Sequence, residues 1–262
     1  MIVIKYGGHV LESATANAAI IATVAKFHKA GGRVVLVHGG GPAIEAELKI
    51  HGVESVMSAG YRVTSPEAME IVQRTLSGGV LRDLTNQFIA HGVNAVGIST
   101  GDGNTLRARL YKPLIDGSEI DIGLVGEAES ADPTFLNLLL DHGYLPIVSP
   151  VSVQSDGQAL NINGDIATGS IAGALQASEV LFITDVPGIY RAWPDRSTLI
   201  SEISAAELSE IASTFADGMA PKVRALLTAL ASGASRARII DGTSIENLDA
   251  ALIGEGGTVV YA

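Results

Sequence analysis

Cysteine is absent from this chain of 262 residues. That excludes a disulfide framework, a thiolate metal site and a cysteine nucleophile. Aromatic residues are scarce, at 5% against 47% apolar residues overall. The core must therefore be built mostly of Ala, Val, Ile and Leu, as in α/β proteins. Positive charge is also in short supply: 17 Lys and Arg face 28 Asp and Glu, a net charge of −11. Such a balance argues against broad binding to nucleic acid or to an anionic membrane. No apolar run reaches the ~18 residues of a membrane span. No basic segment followed by an apolar one precedes the first strand, as a secretory signal would require. The expectation is a soluble, cytoplasmic protein, large enough for one big domain or two fused lobes.

Several catalytic signatures are missing too. There is no P-loop pattern, no G-x-G-x-x-G, no G-x-S-x-G and no H-E-x-x-H. The six histidines are scattered, with no pair at metal-ligand spacing. Phosphoryl transfer without a P-loop remains open. It needs cations around the moving group, N–H donors, and magnesium carried by the nucleotide.

What is present centres on Val34-Val35-Leu36-Val37-His38-Gly39-Gly40-Gly41-Pro42. The β-branched run predicts a buried parallel strand. Pro42 suits the first turn of a helix, where its missing N–H is not needed. Strand, glycine turn and helix start together gather free N–H groups at a strand's C-terminal edge, which suits an anion. The opening strand Ile2 to Tyr6 ends in Gly7-Gly8 and leads into a helix over 13–30. Two such βα units place both glycine turns on one edge of a parallel sheet. Lys5, in an apolar strand beside glycines, is better explained as a cation aimed at a bound anion than as a solvated edge residue.

Alternation and Gly60 predict a hairpin over 53–65, returning through Tyr61-Arg62-Val63-Thr64. From spacing alone, Arg62 is equally a surface residue or a fork for a carboxylate. Ser65-Pro66 caps a long predicted helix to His91, interrupted by Gly78-Gly79. Segments 106–112 and 120–125 look like antiparallel excursions. Helix 133–142 and strand 144–148 follow. Asn161, Asn163 and Asp165 alternate before a helix of small residues, so an extended backbone would turn all three one way. Asp165 would also serve as a plain N-cap. Strand 180–184 ends at Asp185, where an open α/β sheet places ligand groups. Strand 199–203 follows. Lys222 would sit near the start of a helix to about Ser232, the wrong end for a cation unless an anion lies between. A soft boundary falls near Ala177.

Taken in order, six stretches carry a resemblance: Ile4-Lys5-Tyr6-Gly7-Gly8, Val37 to Pro42, Gly60 to Thr64, Asn161 to Asp165, Thr184 to Gly188, and Asp217 to Lys222. Together they resemble the amino acid kinase superfamily and, within it, the acetylglutamate kinases, over nearly the whole chain. The resemblance implies a three-layer αβα sandwich around a mainly parallel open sheet, with small antiparallel hairpins. It implies an acceptor lobe over 1–176 and a nucleotide lobe over 177–262, sharing one sheet. The implied activity is ATP-dependent phosphorylation of the γ-carboxylate of N-acetyl-L-glutamate, in arginine biosynthesis, by a homodimer using Mg2+ with ATP.

Carried over by motif, Lys5 and Lys222 would stabilise charge on the phosphoryl group, with Asp165 holding both lysines. Gly7, Gly8 and Gly39 would donate to phosphate. Gly40, Gly41, Arg62 and Asn161 would bind the acceptor. Asp185, Val186, Gly188, Tyr190, Asp217 and Met219 would contact the nucleotide, and no metal ligand is assigned to the protein. Gly164 departs from the usual alanine of the family. The chain begins at its first strand, without the N-terminal helix of arginine-inhibited members, and 241–258 lacks the arginine-site pattern. A dimer insensitive to arginine is therefore expected. Two other readings stand beside this one. They are a kinase for carrier-linked aminoadipate or glutamate, and an inactive sensor of nucleotide or amino acid. Retention of both lysines favours an enzyme.

Overall fold

The computed structural model describes residues 1–7, 11, 13–58, 60–115, 117–215 and 219–262. In chain order, β1 (Ile2–Tyr6), α1 (Ala14–Lys29), β2 (Val34–His38) and α2 (Gly41–Ile50) form the two predicted βα units. A small hairpin, β3 (Met57–Ser58) and β4 (Tyr61–Arg62), precedes α3 (Pro66–Gln73), a π-helical turn over Arg74–Val80, and α4 (Leu81–Ala90). Then come β5 (Ala95–Ser99), β6 (Leu106–Leu110), β7 (Leu114–Ile115), β8 (Ser118–Glu119) and β9 (Val125–Ala131). They are followed by α5 (Thr134–Asp141), β10 (Leu145–Ser149), β11 (Val151–Val153), β12 (Ala159–Ile162) and α6 (Gly164–Ala174). The last part holds β13 (Glu179–Thr184), β14 (Ile189–Tyr190), β15 (Leu199–Ile200), β16 (Glu202–Ser204), α7 (Ala205–Ile211), α8 (Met219–Ala231), β17 (Arg236–Asp241), α9 (Ile245–Leu252) and β18 (Thr258–Tyr261).

Eight strands make one sheet in the order β16-β18-β17-β13-β1-β2-β10-β5. The run from β17 to β5 is parallel throughout, and β18 joins it antiparallel to β17. Strand alternation splits the core into two layers. Val3, Val35, Val37 and Phe182 pack beneath α5, α6, α7 and α8. Ile4, Leu36, Leu181 and Ile183 pack against α1, α4 and α9. The three-layer α/β architecture with a mainly parallel sheet is thus what the chain forms. No helix among the described residues is long and apolar enough to cross a membrane.

Three expectations need correction. The helix predicted over 66–91 is an unbroken helical run, but its middle, with Gly78 and Gly79, takes π-helical rather than α-helical bonding. The strand predicted over 199–203 is two short strands with different partners, β14 for one and β18 for the other. The excursions predicted over 106–112 and 120–125 are β6 and β9, and β9 lies further along the chain. With β11 and β12 they close into a four-stranded barrel. Its closure depends on pairings between segments far apart in sequence, which local alternation does not reveal.

The small residues of α6 have a packing reason. A methyl group added to Gly173 would lie 1.6 Å from the backbone oxygen of Ser232, and one on Gly169 would lie 2.9 Å from Ala229 Cα. Helices α6 and α8 therefore meet backbone to backbone. Gly173→Ala is expected to destabilise the fold by about 1–3 kcal/mol or more, because rigid backbone must move to admit the methyl. The loss is read as a lowered midpoint in urea unfolding.

Candidate active site

Parallel pairing of β1 with β2 aligns Tyr6 with His38, so both glycine turns leave the sheet side by side. The Gly39 N–H donates to the Tyr6 carbonyl at 2.7 Å. A methyl on Gly7 would lie 3.2 Å from Gly39 N and 3.5 Å from Lys5 Nζ. Glycine at Gly7 thus eases the approach of two backbones, with a lysine amine placed close by. The expected phosphate-binding residues Gly7 and Gly39 are brought together. Gly8 lies outside the described residues.

Lys5 alternates onto the α6 face of the sheet, with Val3 and opposite Ile4. There its Nζ meets Asp165 Oδ1 at 3.3 Å. Asp165 is not the helix cap. Asn163 is: its side chain accepts from the Asp165 N–H at 2.8 Å and the Ile166 N–H at 3.4 Å. That capping turns Asn163 back onto the backbone and leaves Asp165 to face Lys5. Asn161 takes a third direction and donates from Nδ2 to Thr64 Oγ1 at 3.2 Å. The three side chains expected to converge are therefore divided among a cap, an ion pair and a tie to the hairpin strand. Gly164 sits with its Cα hydrogens toward the His38 carbonyl, where a methyl would be 3.8 Å away. An alanine is thus sterically tolerable there.

Lys222, on the first turn of α8, donates to Asp185 Oδ1 at 2.7 Å. The resemblance implied that Asp165 holds both lysines. Here each lysine has its own carboxylate, because Asp185 ends β13 beside the start of α8. Asp185, Val186, Tyr190 and Met219, all expected at the nucleotide, line one cavity of about 630 Å³ with Lys222. Trp193, 68% exposed, also lines it and packs edge-on to Tyr190 at 5.3 Å between ring centroids. The sequence reading missed Trp193, although a lone tryptophan beside a strand-end acid was a usable signal. Gly188 belongs to the scaffold: a methyl there would fall 2.4 Å from Thr258 Oγ1. Asp217 lies outside the described residues.

On the other flank, Gly40 packs under the π-helical turn, where a methyl would strike Leu76 Cδ2 at 2.6 Å. That turn is pinned to the sheet by three hydroxyls. Ser99 donates to Ser77 at 2.9 Å, Ser149 donates to Ser99 at 3.1 Å, and Ser77 and Ser149 are 2.8 Å apart. A methyl on Gly41 would meet nothing within 4 Å. Arg62 donates to Glu45 at 2.6 Å, to Ser55, and from Nη2 to the Gly41 carbonyl at 3.4 Å. Glu45 was not anticipated. Among the described residues, no cluster of three His, Asp or Glu could hold a metal ion.

His38 ends β2 and bonds within its own glycine turn. It is fully buried, and its Nδ1 donates to the Gly39 carbonyl at 2.7 Å. Burial pushes its pKa down to about 4, against a smaller upward effect of that hydrogen bond.

The family profile described as the amino acid kinase family matches residues 1–241. The chain belongs to that family. Among its relatives, it is 40% identical to the acetylglutamate kinase of Corynebacterium urealyticum over 257 residues, covering 98% of this chain and 84% of that protein. It is 41% identical to the acetylglutamate kinase of Paenarthrobacter aurescens, covering 92% and 79%. Among solved structures, N-acetylglutamate synthase from Neisseria gonorrhoeae, complexed with coenzyme A and N-acetyl-glutamate, matches with a TM-score of 0.84 at 27% identity. All of this chain is covered, and it spans 59% of that synthase chain. Giardia carbamate kinase, at 21% identity and a TM-score of 0.73, shares the fold over 100% of this chain and 98% of its own.

The neutral His38 makes a pH prediction. The unfolded chain takes up this proton below about pH 6.5, whereas the folded chain resists it down to about 4. Its contribution to stability is full above pH 6.5 and is lost as pH falls toward 4. Between about pH 7.5 and 5 that loss is about 2 kcal/mol. His38→Asn keeps a donor for the Gly39 carbonyl but does not titrate. Urea unfolding at the two pH values should show a smaller acid loss in the variant by that amount.

Proposed function

We propose that this chain transfers the γ-phosphoryl group of ATP to the γ-carboxylate of N-acetyl-L-glutamate, a step of arginine biosynthesis. The observation that carries the reading is the placement of Lys5 and Lys222. Each is held by its own carboxylate, at the sheet edge where the glycine turns emerge. The likeness to acetylglutamate kinases at 40% identity supports the acceptor.

A carboxylate is already ionised at neutral pH and needs no general base. One of its oxygens forms a bond to the γ-phosphorus while the bond to the bridging oxygen of ADP breaks. The products are N-acetyl-L-glutamyl 5-phosphate and ADP, and no proton moves. The difficulty is bringing anions together, so positioning and electrostatic stabilisation supply most of the rate.

Lys5 neutralises the transferring group above Gly7, and Lys222 neutralises charge on the leaving ADP. Asp165 and Asp185 hold the two amines in place. The N–H groups of Gly7 and Gly8 meet phosphate oxygens, and Gly39, whose own N–H is given to the Tyr6 carbonyl, holds its turn against Gly7 so that phosphate can approach. Gly40, Gly41, Arg62 and Asn161 receive the acceptor on residues 1–176. Asp185, Val186, Tyr190, Asp217 and Met219 receive the nucleotide on residues 177–262, and Gly188 packs behind them against Thr258. Mg2+ enters with ATP as part of the substrate. The enzyme works in the cytoplasm as a homodimer.

Trapping the acyl phosphate with hydroxylamine tests the reaction. N-acetylglutamate, glutamate, aspartate and a carrier-linked acid are compared with Mg-ATP. Signal from N-acetylglutamate is expected, falling about 10²–10³-fold in Lys5→Ala or Lys222→Ala. Signal from the carrier-linked acid alone would overturn the acceptor assignment. Silence with every acid, despite nucleotide binding, would make the chain a sensor. Sedimentation should give the mass of two 27.0 kDa chains, and one chain would overturn the dimer.

A further inference from the structure

Arg62 is the group proposed for the acceptor's α-carboxylate, yet its guanidinium already holds an anion. Nη1 donates to Glu45 Oε2 at 2.6 Å and to the Ser55 hydroxyl, and Ser55 itself donates to the same Glu45 oxygen at 2.6 Å. Nη2 is left toward the Gly41 carbonyl at a long 3.4 Å. The two partners are unequally exposed: the Arg62 side chain is 12% accessible, that of Glu45 57%. The Ser55 hydrogen bond and then the Arg62 guanidinium hold the Glu45 carboxyl below the usual range, so it is anionic at neutral pH.

The chain places Glu45 there by helical geometry. It lies one turn after Gly41 on α2, the helix whose N-terminus begins at the acceptor turn. One guanidinium carries one positive charge, and a second carboxylate arriving at it meets the field of the first. An exposed glutamate is released to water at little cost, whereas the half-enclosed arginine stays where it is.

We propose that Glu45 sets the affinity for the acceptor, as a built-in rival for Arg62 that the incoming α-carboxylate must displace or share. The proposal rests on Arg62 being the acceptor clamp. Its consequence is a site that binds the acceptor more weakly than the same pocket without the glutamate.

The test is the acceptor KM of the full chain, with N-acetylglutamate as the probe. Glu45→Gln keeps an oxygen for Ser55 and Arg62 but removes the charge. It should lower that KM roughly threefold to tenfold while moving the ATP KM less than about twofold. Glu45→Ala should lower it as well, and added salt should narrow the gap to wild type. In an Arg62→Ala background the same substitutions should produce no fall, because the rivalry has lost its object. An unchanged or raised acceptor KM in both Glu45 variants would overturn the proposal and make Glu45 a brace for the guanidinium. Arg62→Ala alone separates the two assignments: if it leaves the acceptor KM unchanged, the clamp itself is wrong. If the wild-type chain makes no acyl phosphate from N-acetylglutamate, the proposed reaction is wrong.

Discussion

Two backbones touch at the carboxyl edge of β1 and β2, and much of the site follows from that contact. In-register parallel pairing brings the Gly7 and Gly39 turns together, and glycine at Gly7 eases the close approach. The Gly39 N–H is given to the Tyr6 carbonyl, so it locks one turn onto the other. A lysine amine held beside these turns needs a counter-charge while no substrate is bound. Asp165 at the start of α6 supplies one for Lys5, and Asp185 at the end of β13 supplies another for Lys222. In a chain that is strongly acidic overall, these two cations are among few, and both lie at this edge. The negative remainder discourages other polyanions from settling on the protein.

The parts legible in the sequence share a property: each is specified by residues close together in the chain. The run Val34 to His38 and the glycines after it announce a buried strand and its turn. The alternation in Ile2 to Tyr6 places Lys5 on a definite face. Ser13 and Ser65 are helix caps both by type and in the structure. What stayed hidden depends on distant partners. The barrel of β6, β9, β11 and β12 pairs Arg107 with Val153 and Val125 with Asn161, residues that lie far apart in the chain. The pairing of Asp165 with Lys5 joins residues 160 positions apart, which local spacing does not show. Glu45 was invisible for a simpler reason: a glutamate on a solvent-facing helix position is ordinary until the fold lays an arginine from the next hairpin beside it.

Polar side chains in this protein act less as isolated contacts than as ties between separate elements. The Ser77–Ser99–Ser149 ring ties a π-helical turn to two strands, and that turn roofs Gly40. Asn161 and Thr64 tie β12 to the hairpin strand that carries Arg62. The hairpin is thereby tied to the barrel, and the π-helical turn to Gly40. The surroundings of Arg62 and Gly40 are consequently a set of linked small elements. The cavity beside Asp185 has an exposed tryptophan in its lining.

The glycine seam between α6 and α8 has a mechanical meaning. Helices that meet main chain to main chain at Gly169 and Gly173 leave no room there for a larger side chain. Asp165, at the start of one, and Lys222, at the start of the other, are therefore carried on helices whose separation this seam fixes. The spacing of two charged side chains is thus inherited from a contact further down the same two helices, at positions that carry no charge themselves.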